Sequence, residues 1–66
     1  MTRESNKERV RFLDISRSSL AEARTQIYIG IDINYINKNI GVQWINETIE
    51  LSKMLTALKE KIKADS

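Results

Sequence analysis

The chain has 66 residues, a net charge of +2, and neither cysteine nor histidine. Disulfide staples and the common zinc sites are thereby excluded, and the length allows at most one small domain. A chain of this size buries only about 60% of the surface that its unfolded form exposes. Association with other subunits is the remaining route to a stable core, so a homo-oligomer is expected.

Hydrophobic residues make up 41% and charged residues 30%, the proportions of an ordinary globular protein. No apolar run approaches the roughly 20 residues that span a bilayer. Met1 to Ser5 lacks the apolar stretch of a signal peptide. The expectation is a cytoplasmic protein with no membrane contact, no cofactor, no metal and no small-molecule substrate. The small positive charge permits an acidic partner without arguing for one.

Ser5-Asn6-Lys7-Glu8 has the form of a capping box, which predicts a first helix starting near Asn6; residues 1–4 and, at the other terminus, 65–66 are expected to fray. Leu13, Ser16, Leu20, Ala23, Ile27 and Gly30 then recur at spacings of three and four, and Phe12 and Ile31 widen the stripe. Ser16, Ala23 and Gly30 are small enough to let a neighbouring helix approach. The segment Ile27–Ile33 also alternates like a strand. The unbroken three-four stripe and the absence of a turn signal at Ile27 favour helix, so the first helix is predicted over about 6–33. Asn34 suits a left-handed residue after the helix, with Tyr35 and Ile36 folding back on the last turn. Asn37 suits the N-cap of a second helix over about 38–64. The short link predicts antiparallel neighbours.

In the second helix Trp44, Thr48, Leu51, Leu55, Leu58 and Ile62 step by four and three, as a heptad seam does. The predicted fold is therefore all-α: one domain over residues 1–66, an antiparallel hairpin that associates into a four-helix bundle. Its predicted internal core is Phe12, Leu13, Leu20, Ile27, Trp44, Leu51, Leu55, Leu58 and Ile62. Ile29, Ile33, Val42, Ile45 and Ile49 form a second apolar surface at the turn end, predicted as the oligomer interface.

The open end is mildly basic. Arg3, Lys7 and Arg11 share a stripe and, with Lys59 and Lys63, are the candidate contacts to nucleic-acid phosphates. A solvated face with pairs at i,i+4 is the plainer account of the first three, and interaction with the helix dipole that of the lysines. Trp44 and Tyr35 could stack on bases, although packing is the stronger expectation for both. Glu22 is expected to be partly buried and paired. No second titratable group stands ready to make it catalytic, and Ser18-Ser19 lacks a histidine base. An enzyme is not expected.

The run Phe12-Leu13-x-Ile15-Ser16-x-x-Ser19-Leu20-x-Glu22, followed by Gln26, Tyr35-Ile36 and Lys53-Met54-Leu55 with Leu58, resembles the four-helix-bundle family of 23S rRNA intervening-sequence proteins. The accessory variability proteins of diversity-generating retroelements belong to the same family. Members typically read F-L-x-I-A-x-G-S-L-x-E-x-x-T-Q here. Ser16 stands for Ala and Ser18 for Gly, while Ser19, Leu20, Glu22, Thr25 and Gln26 match. Ile33-Asn34-Tyr35-Ile36 stands where members have L-G-Y-I. The likeness covers nearly the whole chain but only the C-terminal half of a typical member, whose first helix and upstream N-I-A-E-G-like stretch have no counterpart.

The resemblance implies a left-handed helical bundle, closed homo-oligomers (pentameric rings in some members) and, in some cases, binding to RNA and a reverse transcriptase. Two functions are weighed on this basis. One is a non-catalytic oligomeric scaffold with weak RNA affinity at its basic end. The other is a protein-interaction module, or truncated half-bundle, that docks a partner through its apolar turn end.

Overall fold

A computed structural model describes the backbone from Arg3 to Asp65 and the side chains from Ser5 to Asp65. Helix α1 runs Arg3–Asp32 and helix α2 runs Lys38–Ala64, packed side by side as an antiparallel hairpin with no strand among the described residues. Ser5 lies inside α1, so it does not cap the helix. The backbone of Arg3 and Glu4 is helical; residues 1, 2 and 66, which the fraying expectation also covers, lie outside the described residues. Arg, Glu and Lys are all good helix formers, and nothing in this stretch stops the helix at Ser5. The Ile-rich segment is helical through Asp32. β-Branching costs a helix only a fraction of a kcal/mol per residue, less than burial of Ile27 and Ile31 against α2 returns.

The turn is built by local hydrogen bonds. Asn34 adopts φ 64°, which lets its N–H donate to the Ile31 carbonyl at 3.1 Å and that of Tyr35 donate to the Gly30 carbonyl at 2.8 Å. These are the two bonds of a Schellman motif. Asn37 then caps α2, its Oδ1 accepting from the N–H of Asn39 at 2.9 Å and of Ile40 at 3.4 Å. Replacing Asn37 by alanine is expected to cost about 1 kcal/mol, read as a lower midpoint in a thermal melt followed by circular dichroism. An unchanged midpoint would mean that the cap is not made in solution.

Ile36, the residue that folds back, closes the joint between the helices. A Cβ added at Gly30 would stand 2.5 Å from Ile36 Cδ1, and one at Gly41 would stand 2.5 Å from Ile31 Cδ1 and 3.2 Å from Ile36 Cγ2. Both glycines are buried. Two missing side chains thus let α1, α2 and the linker meet closely at this end.

The rest of the hairpin is thin. It measures 48 × 15 × 10 Å with a radius of gyration of 15.1 Å, against about 11 Å for a compact domain of this length. Its accessible surface is 5356 Å², roughly 1,000 Å² more than a compact monomer of this mass would expose. Leu13 and Ile45, each 5% exposed, are the buried hydrophobic side chains among the described residues.

The predicted internal core needs correction. Phe12 is 67% exposed, and Trp44, Leu51 and Leu58 are nearly half exposed. Leu20, Ile27, Leu55 and Ile62 are half-buried. The inward stripe of α2 is instead Gly41, Ile45, Thr48 and Ser52, buried or half-buried. In the heptad seam Thr48, Leu55 and Ile62 lean towards α1, while Trp44, Leu51 and Leu58 look past it. A heptad stripe in a bundle serves two neighbours; one hairpin supplies a single neighbour, and the outer half of the stripe stays uncovered.

The predicted turn-end surface also needs correction. Ile45 faces α1 and is buried, and Ile49 is half-buried. Ile29, Ile33 and Val42 are exposed. With Ile45 turned to α1 and Ile49 partly covered, the set is not exposed together. The five residues therefore form no single surface.

Candidate nucleic-acid groove and apolar face

Two surfaces of the hairpin are candidates for function. The first is a groove at the open end, lined by Asn6, Lys7, Val10, Arg11, Asp14, Ile62 and Lys63. It brings together three of the five basic residues read from the sequence as phosphate contacts, namely Lys7, Arg11 and Lys63. The Arg3 side chain lies outside the described residues. Lys59 is a correction: its ammonium donates to Asp14 Oδ1 at 2.7 Å and its side chain is only 19% exposed. This cation ties α2 to α1 and is not directed at solvent, because Asp14 stands across from it on the facing helix.

Asp14 is the hub of this end. Arg17 Nη1 lies 3.9 Å from the same carboxylate oxygen. The hydrogen bond from Lys59 holds the Asp14 carboxyl below its ordinary value, against a smaller opposing effect of desolvation; the charges of Lys59, Arg17 and Lys63 add to the lowering. A depressed carboxylate contributes stability that is present above its unfolded pKa of 3.8 and is lost as pH falls through the folded value. Asp14→Asn is therefore expected to be less stable than the native chain at neutral pH, with the difference closing on acidification below about pH 4. Urea melts across pH check this; a difference independent of pH would show that the carboxylate charge does not hold the helices.

Sequence reading did not single out Arg24, which bridges the helices at mid-length. Its Nε donates to Thr48 Oγ1 at 3.1 Å and its Nη2 donates to Ser52 Oγ at 3.4 Å. The Thr48 hydroxyl in turn donates to the Ile45 carbonyl at 2.7 Å. The signal was available, since Arg24 follows Leu20 by four and precedes Ile31 by seven on the inward stripe. A charged residue on that stripe needs partners across the interface, and Thr48 and Ser52 supply them.

Other candidates fall away or change place. Glu22, expected to be partly buried, is exposed, because its stripe lies on the flank that no second helix of this chain covers. The Ser19 hydroxyl donates to the Ile15 carbonyl at 3.1 Å, a bond within its own helix. Tyr35 is 87% exposed instead of packed, since it is Ile36 that fills the joint. Tyr35 sits at the turn, the opposite end from the basic groove.

The second surface is apolar and runs along one flank. Phe12, Ile15, Ser16, Ser19, Leu20, Leu51 and Leu55 line a shallow groove between the helices. Towards the open end it continues into one lined by Ser5, Glu8, Arg9, Phe12, Leu13, Leu58 and Ile62. Phe12 belongs to both, so the flank is continuous. Large apolar side chains left uncovered side by side make this flank a candidate interaction surface. No helix among the described residues is long and apolar enough to cross a membrane.

A family model described as 23S rRNA-intervening sequence protein matches residues 1–57. No curated protein and no solved structure matches the chain.

Proposed function

The chain belongs to the family of 23S rRNA-intervening sequence proteins, and from that premise we propose that it is a non-catalytic, cytoplasmic scaffold that works as a homo-oligomeric helical bundle. The observation that carries this reading is the uncovered flank. Phe12 at 67% and Ile15 at 55% exposure, with Leu51 and Leu58 on the same grooves, are the residues that a bundle core would take in. The surplus of roughly 1,000 Å² over a compact monomer is close to the ~800 Å² that each partner buries in a standard interface.

The non-catalytic part is supported by the residue inventory. The chain has no histidine or cysteine, the side chains from which general bases and thiolate nucleophiles are most often drawn. The apolar turn end fares worse as a docking surface for a different protein, because Ile45 at its centre is turned inward.

RNA affinity at the basic groove is the second part of the proposal. Lys7, Arg11 and Lys63 line one groove, and Arg3 shares their stripe in the sequence. Binding through so few phosphate contacts is weak, independent of base sequence and salt-sensitive, with a log–log slope of about −2 for three contacts on a single strand. Fluorescence anisotropy with a labelled single-stranded RNA tests it. Binding is expected at low salt, and Lys7→Glu with Arg11→Glu is expected to abolish it. Unchanged affinity in the double variant would remove the groove from the proposal. Failure to bind RNA at low salt would leave a protein-only scaffold.

A further inference from the structure

The hairpin is electrically lopsided along its length. The open-end segments, residues 5–17 and 51–65, hold eight basic and four acidic residues, a net +4; the turn-end stretch, residues 18–50, holds two basic and four acidic residues, a net −2. Because the two helices are antiparallel, both basic segments lie at one end of a body 48 Å long. α2 by itself has the same imbalance, with Glu47 and Glu50 in its first half and Lys59, Lys61 and Lys63 near its end.

We infer that the apolar flank takes a second copy of this chain laid end to end in reverse, so that the basic open end of each hairpin meets the acidic turn end of the other and the two α2 seams pack across a two-fold axis. The inference rests on the proposal that the flank is covered by another copy, and it adds the direction. Packing in the same direction would set +4 against +4 along one half of the interface; reversal turns that repulsion into attraction, and charge complementarity fixes orientation more than it adds affinity. The reversed register that overlaps the whole of α2, Lys38–Ala64, puts the axis beside Leu51. The outward seam residues then fall into symmetric places, Trp44 of one chain facing Leu58 of the other and Leu51 facing its own copy. In such a pair the two basic grooves stand at opposite poles.

Engineered cysteines read the direction, and the absence of native cysteine keeps the experiment clean. The variants are Trp44→Cys and Leu58→Cys, each oxidised alone and as an equimolar mixture. Reversed packing predicts a disulfide only in the mixture, because like positions 14 residues apart in register would be separated by about 21 Å. Disulfides within each single variant would overturn the direction while leaving the second-copy reading intact. No disulfide in any sample, with the unmodified chain still oligomeric by light scattering, would overturn the α2 seam as the contact. A monomeric unmodified chain would overturn the underlying proposal itself. Should either substitution weaken assembly, the unmodified chain supplies a second readout, because salt screens the end-to-end charges. Self-association several-fold weaker in 0.5 M than in 0.05 M sodium chloride supports reversal; association that strengthens overturns it.

Discussion

Leu51→Glu is expected to turn an assembling chain into a monomer that unfolds on dilution. Leu51 is 47% exposed on the single hairpin and lines the middle of the apolar flank with Phe12 and Ile15. Losing a central interface side chain typically costs about 2 kcal/mol or more. Two-fold symmetry counts the loss twice, and two carboxylates brought together away from water add to it. A thousandfold weaker dimer is therefore a conservative expectation. Glutamate and leucine have similar helix propensity, so the substitution leaves α2 itself little affected. Val42→Glu is the control, since Val42 is equally exposed but lies on the other side of α2. Light scattering after size exclusion reads both. Leu51→Glu assembling like the native chain would place the interface elsewhere.

Ile45→Ala is expected to be the most damaging conservative substitution inside the hairpin. Ile45 and Leu13 are the buried hydrophobic residues among those described, and truncating a buried isoleucine costs about 2–5 kcal/mol. A chain of this length has a total stability of roughly 3–10 kcal/mol, so the loss is a large share of it. The melting midpoint should fall by more than about 10 °C. Val42→Ala, three residues away and exposed, should move it by no more than about 2–4 °C, since surface changes stay within about 0.5 kcal/mol. Equal midpoints for the two variants would mean that Ile45 is not the inward residue of α2.

What the amino-acid sequence determined by itself is local. The three-four stripe from Leu13 to Gly30 overrode the strand-like alternation of Ile27–Ile33. Asn34 and Asn37 marked the end of one helix and the start of the next, because a left-handed residue and a cap are made by neighbours within five positions. The resemblance carried by Phe12–Gln26 named the family for the same reason, being a run of residue types in order. The N-terminal boundary was misread because a capping box states what could start a helix there and cannot forbid an earlier start.

Only the tertiary structure decided how each helix is rotated about its own axis. Hydrophobic spacing says that Trp44, Leu51 and Leu58 are to be covered, but it does not say by which neighbour. Within the hairpin the close approach at Gly30 and Gly41 selects small and polar residues, Thr48 and Ser52 with Arg24 reaching across, for the inner stripe. The bulky side chains turn to the flank, where space remains for a second body. Lys59 likewise reads as a free surface cation until the opposite helix places Asp14 beside it. A periodicity is a property of one helix, whereas burial and ion pairing are properties of two, and that is the physical reason the core and the basic site became legible only after the hairpin closed.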